Sequence, residues 1–304
     1  MKSRLTKYGL SAAAVLLVAF LAGCGRTSST LAPSATDAQG VSSDASVERG
    51  AGVLGRASES EEEMSESPDD AKWISGPAVI TEPGDYRLAA DFAVNSGDGI
   101  VVKASNVRLW LGGKKLTGPG NKAGRAIVLD GVQNVTVLGG HVSRFGFGAV
   151  LVGTSHSRVS GMEFAGGDET ADPANGNPPQ IGAMLVNSAE NRISLNSFSG
   201  VNLGIFVRGG GSYQNIIRRN QVAAGQNGLL GICYNPAAGE GAAGPQHDRV
   251  SLNVISRFGK GIALSAGSRE NYFVRNLIQY FDAPYADANG TNVFENNRST
   301  QVSR

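Results

Sequence analysis

Asn191-Arg-Ile193-Ser-Leu-Asn196-Ser-Phe198 is the stretch that decides the fold, because it returns. It recurs as Asn215-Ile-Ile217-Arg-Arg-Asn220-Gln-Val222 and, with Asp in first place, as Asp248-Arg-Val250-Ser-Leu-Asn253-Val-Ile255. Two further copies are Asn271-Tyr-Phe273-Val-Arg-Asn276-Leu-Ile278 and Asn292-Val-Phe294-Glu-Asn-Asn297. Weaker ones run Val135-Thr-Val137-Leu-Gly-Gly140-His-Val142 and Ser157-Arg-Val159-Ser-Gly-Met162-Glu-Phe164. The second Asn falls at 196, 220, 253, 276 and 297, at intervals of 24, 33, 23 and 21 residues. A period in the low twenties is one coil of a parallel β-helix, with three short strands and three turns. The Leu-x-x-Leu-x-Leu frame of a leucine-rich repeat is absent, and no helical pattern links the strands.

Each copy is followed by Gly and a short apolar strand, as in Gly148-Ala149-Val150-Leu151, Gly182-Ala183-Met184-Leu185, Gly204-Ile205-Phe206-Val207, Gly231-Ile232-Cys233-Tyr234 and Gly261-Ile262-Ala263-Leu264. Ser143-Arg144-Phe145-Gly146-Phe147-Gly148 is nearly repeated in Ser256-Arg257-Phe258-Gly259-Lys260-Gly261. Alternation along such strands sends Ile205 and Val207 inward and Phe206 and Arg208 outward. The recurrent Asn belongs to a tight turn, where its amide bonds the Asn residues above and below and satisfies backbone groups buried by coiling. These Asn residues are structural by default. The first outward positions of the Gly-led strands, Val101, Val128, Val150, Met184, Phe206, Cys233 and Ala263, form an apolar stripe. A stripe of that kind calls for a cover, from the long loops, the tail or a partner, and Cys233 within it reads as a packed free thiol.

Composition agrees. Gly is 42 of 304 residues and charged residues are only 17%, while 41% hydrophobic content supplies a core. The net charge of +1 hides an asymmetry: residues 1–70 hold 6 Lys/Arg and 10 Asp/Glu, leaving 21 basic and 16 acidic residues in 71–304. A part at about +5 tolerates an anionic partner without demanding one. No basic run with interleaved aromatics points to nucleic acid.

The N-terminus reads as an export signal. Lys2, Arg4 and Lys7 precede an apolar run from Leu10 to Leu21, too short to span a bilayer comfortably. The following Leu21-Ala22-Gly23-Cys24 resembles the bacterial lipobox, which implies lipidation of Cys24 and anchorage without a transmembrane helix. Gly25 after it implies the outer membrane in a cell that has one. Residues 25–70, rich in Ser, Ala, Gly and Thr and ending in an acidic run, bury too little to fold and read as a self-repelling spacer. The expected organisation is a signal peptide over 1–23, a disordered acidic tether over 24–70, and one all-β domain over 71–304 with about eight coils.

From about residue 79 to 300 the chain resembles the right-handed parallel β-helix superfamily typified by pectate lyases. The opening Glu82-Pro83-Gly84-Asp85-Tyr86-Arg87-Leu88, with Asn106-Val107-Arg-Leu109-Trp-Leu111-Gly112-Gly113, resembles its periplasmic copper-maturation and carbohydrate-binding branch. The resemblance implies three sheets, and a polysaccharide groove flanked by the turns that are long here, 166–181 and 235–247. It is poor in information on activity, since one scaffold hosts many functions. Asp168, Glu169 and Asp172 place three carboxylates within five residues. They suit glycan binding, acid–base work or Ca²⁺, although no six-oxygen spacing is present. No cofactor is otherwise expected. Glu240 lies in the second loop, and His247 beside Asp248 has the makings of an oriented base. Arg208, ahead of Tyr213, resembles the basic residue of polysaccharide lyases, which implies a catalytic pair. Asn235 and Lys260 join the binding set. The expected protein is a monomeric envelope lipoprotein that binds or modifies a polysaccharide. Two other readings are a non-catalytic docking protein of the envelope and a copper-maturation accessory.

Overall fold

The computed structural model describes residues 69–120, 122–166, 179–235, 243–288 and 290–303. Every strand pairing is parallel, each strand meeting its counterpart one coil later, as in Arg158–Ser160 on Arg192–Ser194 and then on Ile216–Arg218. The faces of the coil are called here sheets I, II and III. Sheet I has ten strands, from Lys72–Ile74 to Val293–Glu295. The seven copies legible in the sequence are its last seven; three earlier strands, Lys72–Ile74, Gly84–Leu88 and Val107–Trp110, precede them. Sheets II and III are separate strands in the early coils but merge later. Gln221–Asn235, Val254–Leu264 and Leu277–Asp287 each run through both, with register shifts at the corner.

Inward positions stack like on like. Sheet I sends in Leu109, Val137, Val159, Ile193, Ile217, Val250 and Phe273, all at most 1% exposed. Sheet III sends in Leu129, Leu151, Leu185, Val207 and Tyr234 at 0%. The Gly that opens each sheet III strand is required by proximity. A Cβ on Gly148, Gly182 or Gly204 would lie within 3.0 Å of the carbonyl oxygen of the matching Gly one coil on.

The turns that bracket sheet I carry the Asn ladders. The Oδ1 of Asn220 accepts the backbone N–H of Asn196 at 3.1 Å and its Nδ2–H at 3.1 Å, while Nδ2 of Asn220 donates to the carbonyl of Ile193 at 2.9 Å. The same three bonds join Asn220 to Asn253, Asn253 to Asn276 and Asn276 to Asn297. Loss of one such side chain would strand buried backbone groups at a cost of roughly 1–3 kcal/mol each. The residue just before each Asn is left-handed, as at Leu195 (φ 59°), Arg219 (55°), Leu252 (58°) and Arg275 (54°). Side chains other than Gly pay on the order of 1 kcal/mol there, which the ladder offsets. A third ladder, of hydroxyls, was not apparent in the repeat: Thr154 N–H donates to Ser188 Oγ and Ser188 N–H to Ser212 Oγ.

The first Asn ladder contains one exception. Asp248 takes the Asn place at 0% exposure. Its Oδ1 accepts from Asn215 N at 2.7 Å and Nδ2 at 3.2 Å. Its Oδ2, which stands where Asn would present an NH₂ group, makes no well-formed hydrogen bond, and neither does the buried hydroxyl of Tyr234, although the two groups interact with each other. Burial pushes the Asp248 carboxyl up to about 7, tempered by the Asn215 backbone N–H and the Tyr234 hydroxyl. An unfolded aspartate protonates near 3.9. The folded state therefore holds the proton more tightly, so Asp248 lowers stability by an amount that is absent below about pH 4, grows to about pH 7 and is full above it. Asp248→Asn is expected to stabilise the protein by on the order of a few kcal/mol at about pH 8, and by much less at about pH 4. Thermal melts across that range check this; an equal gain at both ends would remove the buried charge as its cause.

Candidate functional site

The three outer faces differ in chemistry. Sheet III presents an apolar stripe: Ile181, Leu203 and Leu230 in one column, Phe206, Cys233 and Ala263 in the next. The expectation of a cover is met within the chain itself, since Phe206 and Cys233 are each 2% exposed. Polar residues edge the stripe. Arg208 and Asn235 pair in register along one side, and Lys260 follows Leu230 on the other.

Arg208 points outward, as the alternation requires, but is only 7% exposed. Burial lowers its pKa. Asn235, 8% exposed, accepts from Ser265 Oγ at 3.3 Å. Lys260 is half-buried. Tyr213 lies beyond the corner toward sheet I, exposed, its backbone bridged to Gln246. His247 is the next residue of that turn, also exposed, and its Nε2 meets Glu270 Oε2 at 2.7 Å. Asp248 is therefore not the partner of His247, because adjacent residues point to opposite sides and Asp248 faces the interior. Asp168, Glu169, Asp172, Glu240 and Cys24 lie outside the described residues.

All three histidines of the chain bond a glutamate one coil on. His141 meets Glu163 and His156 meets Glu190, each at 2.7 Å, besides the His247–Glu270 pair. Their partners lie 22 to 34 residues away, so no local motif announces them. Among the described residues no group of three His, Cys, Asp or Glu side chains is placed to hold a metal. Sheet II carries a mixed polar face, with His141, Glu163, Ser197 and Gln221 in one column.

Sheet I is the charged face. Its outward positions form two adjacent columns: over the strands from Gly84–Leu88 to Arg249–Ser251, Arg108, Arg158, Arg192 and Arg249 fall in one and Arg87 and Arg218 in the other, so that six of seven successive rungs carry an arginine. Neighbouring rungs are roughly 4.8 Å apart. Asp85 holds Arg108 in a two-bond pair at 2.8 and 2.9 Å. Arg87 lies 3.5 Å from the centroid of Trp73, and Arg108 lies 5.2 Å from that of Trp110, so both guanidinium groups are steadied over rings. Arg158 and Arg192 are direct register partners.

No protein-family model matches the chain, and no curated protein matches it in sequence. Solved structures do resemble it. The Dettilon tailspike protein is 18% identical at a TM-score of 0.51, over 75% of this chain and 54% of the tailspike, so the chain spans about half of that protein's length. An alginate lyase from Paenibacillus sp. is 14% identical at 0.48, over 71% of this chain and 93% of the lyase. The tailspike protein of E. coli bacteriophage HK620, solved with a pentasaccharide, is 12% identical at 0.36, over 74% of this chain and 54% of the phage protein. At such identities the likeness speaks for the fold: the chain is a right-handed parallel β-helix.

Burial of the stripe has a direct readout. In a Cys24→Ala protein, Cys233 is expected to resist a thiol reagent under native conditions and to react fully once denatured. Fast native labelling would mean that the stripe is open.

Proposed function

We propose that this protein is a lipid-anchored cell-envelope β-helix that binds an anionic polysaccharide along the arginine face of sheet I. The observation that carries the reading is the row itself, with outward arginines on six of seven rungs, four in one column and two in the column beside it. A band of cations two columns wide over six rung steps, roughly 29 Å at 4.8 Å each, suits an extended polyanion better than a compact ligand. Arginine suits carboxylate and sulfate groups because its planar fork makes two parallel bonds. The rings of Trp73 and Trp110 are engaged by arginine, which leaves no row of aromatic platforms for nucleic-acid bases. The reading is one of binding. The acidic groups on this face are Asp85, already bonded to Arg108, and Glu295 at the far end. A lyase centred on Arg208 is the second reading, favoured by the burial that lowers its pKa.

The test uses alginate, polygalacturonate and hyaluronan, with dextran as the neutral control. Affinity for at least one polyanion is expected, falling with salt. Arg158→Gln combined with Arg192→Gln is expected to weaken it about tenfold, two half-buried charge contacts contributing roughly 0.7 kcal/mol each, with the melting temperature unchanged or raised. Equal binding to dextran, no binding across the panel, or full affinity in the double variant would each overturn the sheet I reading. The same mixtures are read for unsaturated sugar ends; a product that disappears in Arg208→Ala would move the active face to sheet III. For the anchor, Cys24→Ala is expected to shift the protein from the membrane to the soluble fraction, and retention in the membrane would refute lipidation there.

A further inference from the structure

The arginine row starts where the chain enters the coil. Asp69 and Asp70 immediately precede Lys72–Ile74, the first strand of sheet I. Asp70 already acts on the row, since its charge joins that of Asp85 in holding the Arg108 guanidinium charged. Before it come Glu59, Glu61, Glu62, Glu63 and Glu66. Residues 59–70 thus carry seven carboxylates and no Lys or Arg. Twelve extended residues reach roughly 40 Å, and the row from the strand of Arg87 to that of Arg249 covers roughly 29 Å. The acidic segment is long enough to lie along the whole row, is opposite in charge, and is tied to one end of it.

We propose that residues 59–70 dock on the arginine face of sheet I as an internal polyanion that competes with the polysaccharide. The inference rests on the reading of sheet I as a polyanion-binding face. A short tether holds its ligand at an effective concentration in the millimolar range. Isolated sugar units would then be excluded, while a polymer that engages many rungs at once would displace the segment. Salt weakens both the internal contact and the external one, so the device responds to polymer length rather than to charge alone.

The test uses the full chain with Cys24→Ala. Spin labels are placed at Ser60→Cys in the segment and at Thr136→Cys on the one rung of the row without an arginine; Cys233, at 2% exposure, stays unlabelled. A narrow distance distribution is expected at low salt. It should broaden at about 1 M NaCl, where the Debye length falls to about 3 Å, and in a variant with Glu59, Glu61, Glu62, Glu63 and Glu66 all changed to Gln. That variant should also bind alginate about three- to tenfold more tightly, as removal of a tethered competitor predicts. A broad distribution unmoved by salt or by the Gln changes overturns the docking, whether or not alginate binds. Docking seen with no polysaccharide bound by either protein upholds the internal contact and overturns the reading of sheet I as a glycan face. Equal alginate affinity in the two proteins overturns the competition.

Discussion

Every outer surface of this protein depends on one small bond, the acceptance of a backbone N–H by the side-chain oxygen of an Asn one coil later. Asn196, Asn220, Asn253, Asn276 and Asn297 make that bond in sequence, each bent to it by a left-handed residue just before it. The bond fixes how one coil sits on the next to a fraction of a rung. Once that register is set, every outward side chain acquires a neighbour above and below. A row of arginines or a stripe of apolar groups then exists without any further device.

The scaffold was legible in the sequence because its determinants are local. An Asn, a strand and a Gly recur within about eleven residues of one another, and the positions at which they recur are structural. The arginine row was not legible, although all of its members lie within or beside the repeat. Arg108, Arg158, Arg192 and Arg249 are separated by 50, 34 and 57 residues. They align only after the loops and the rungs without an arginine between them have been set aside. The histidine–glutamate pairs were missed for the same reason. The sheet III stripe, by contrast, was readable from alternation within single strands, and those residues do face outward. What alternation alone does not convey is that they are buried all the same. Arg208 illustrates the difference: its direction was clear from the strand, its depth was not.

Asp248 shows how tightly the ladder constrains chemistry. The carboxylate fits the Asn site in shape and keeps the acceptor half of the bond. It lacks the donor half, and the buried Oδ2 and the Tyr234 hydroxyl are both left without well-formed bonds. A similar side chain in a dry site is thus not an equivalent one. The contrast with His247, one residue earlier and in water with Glu270, shows how abruptly the environment changes across the turn.

The ladder also has a direction. The backbone N–H of each ladder Asn is satisfied by the Asn of the coil that follows it toward the C-terminus, while its Nδ2 also reaches back to a carbonyl of the coil before. A chain that leaves the ribosome N-terminus first therefore always ends on an unfinished storey, whose buried turn amides wait for the next Asn to arrive. Each storey supplies the side-chain acceptors for the ladder amides of the one beneath it and leaves its own ladder amides open. The final storey, with Asn292 and Asn297, closes the one below as both side chains accept its backbone amides.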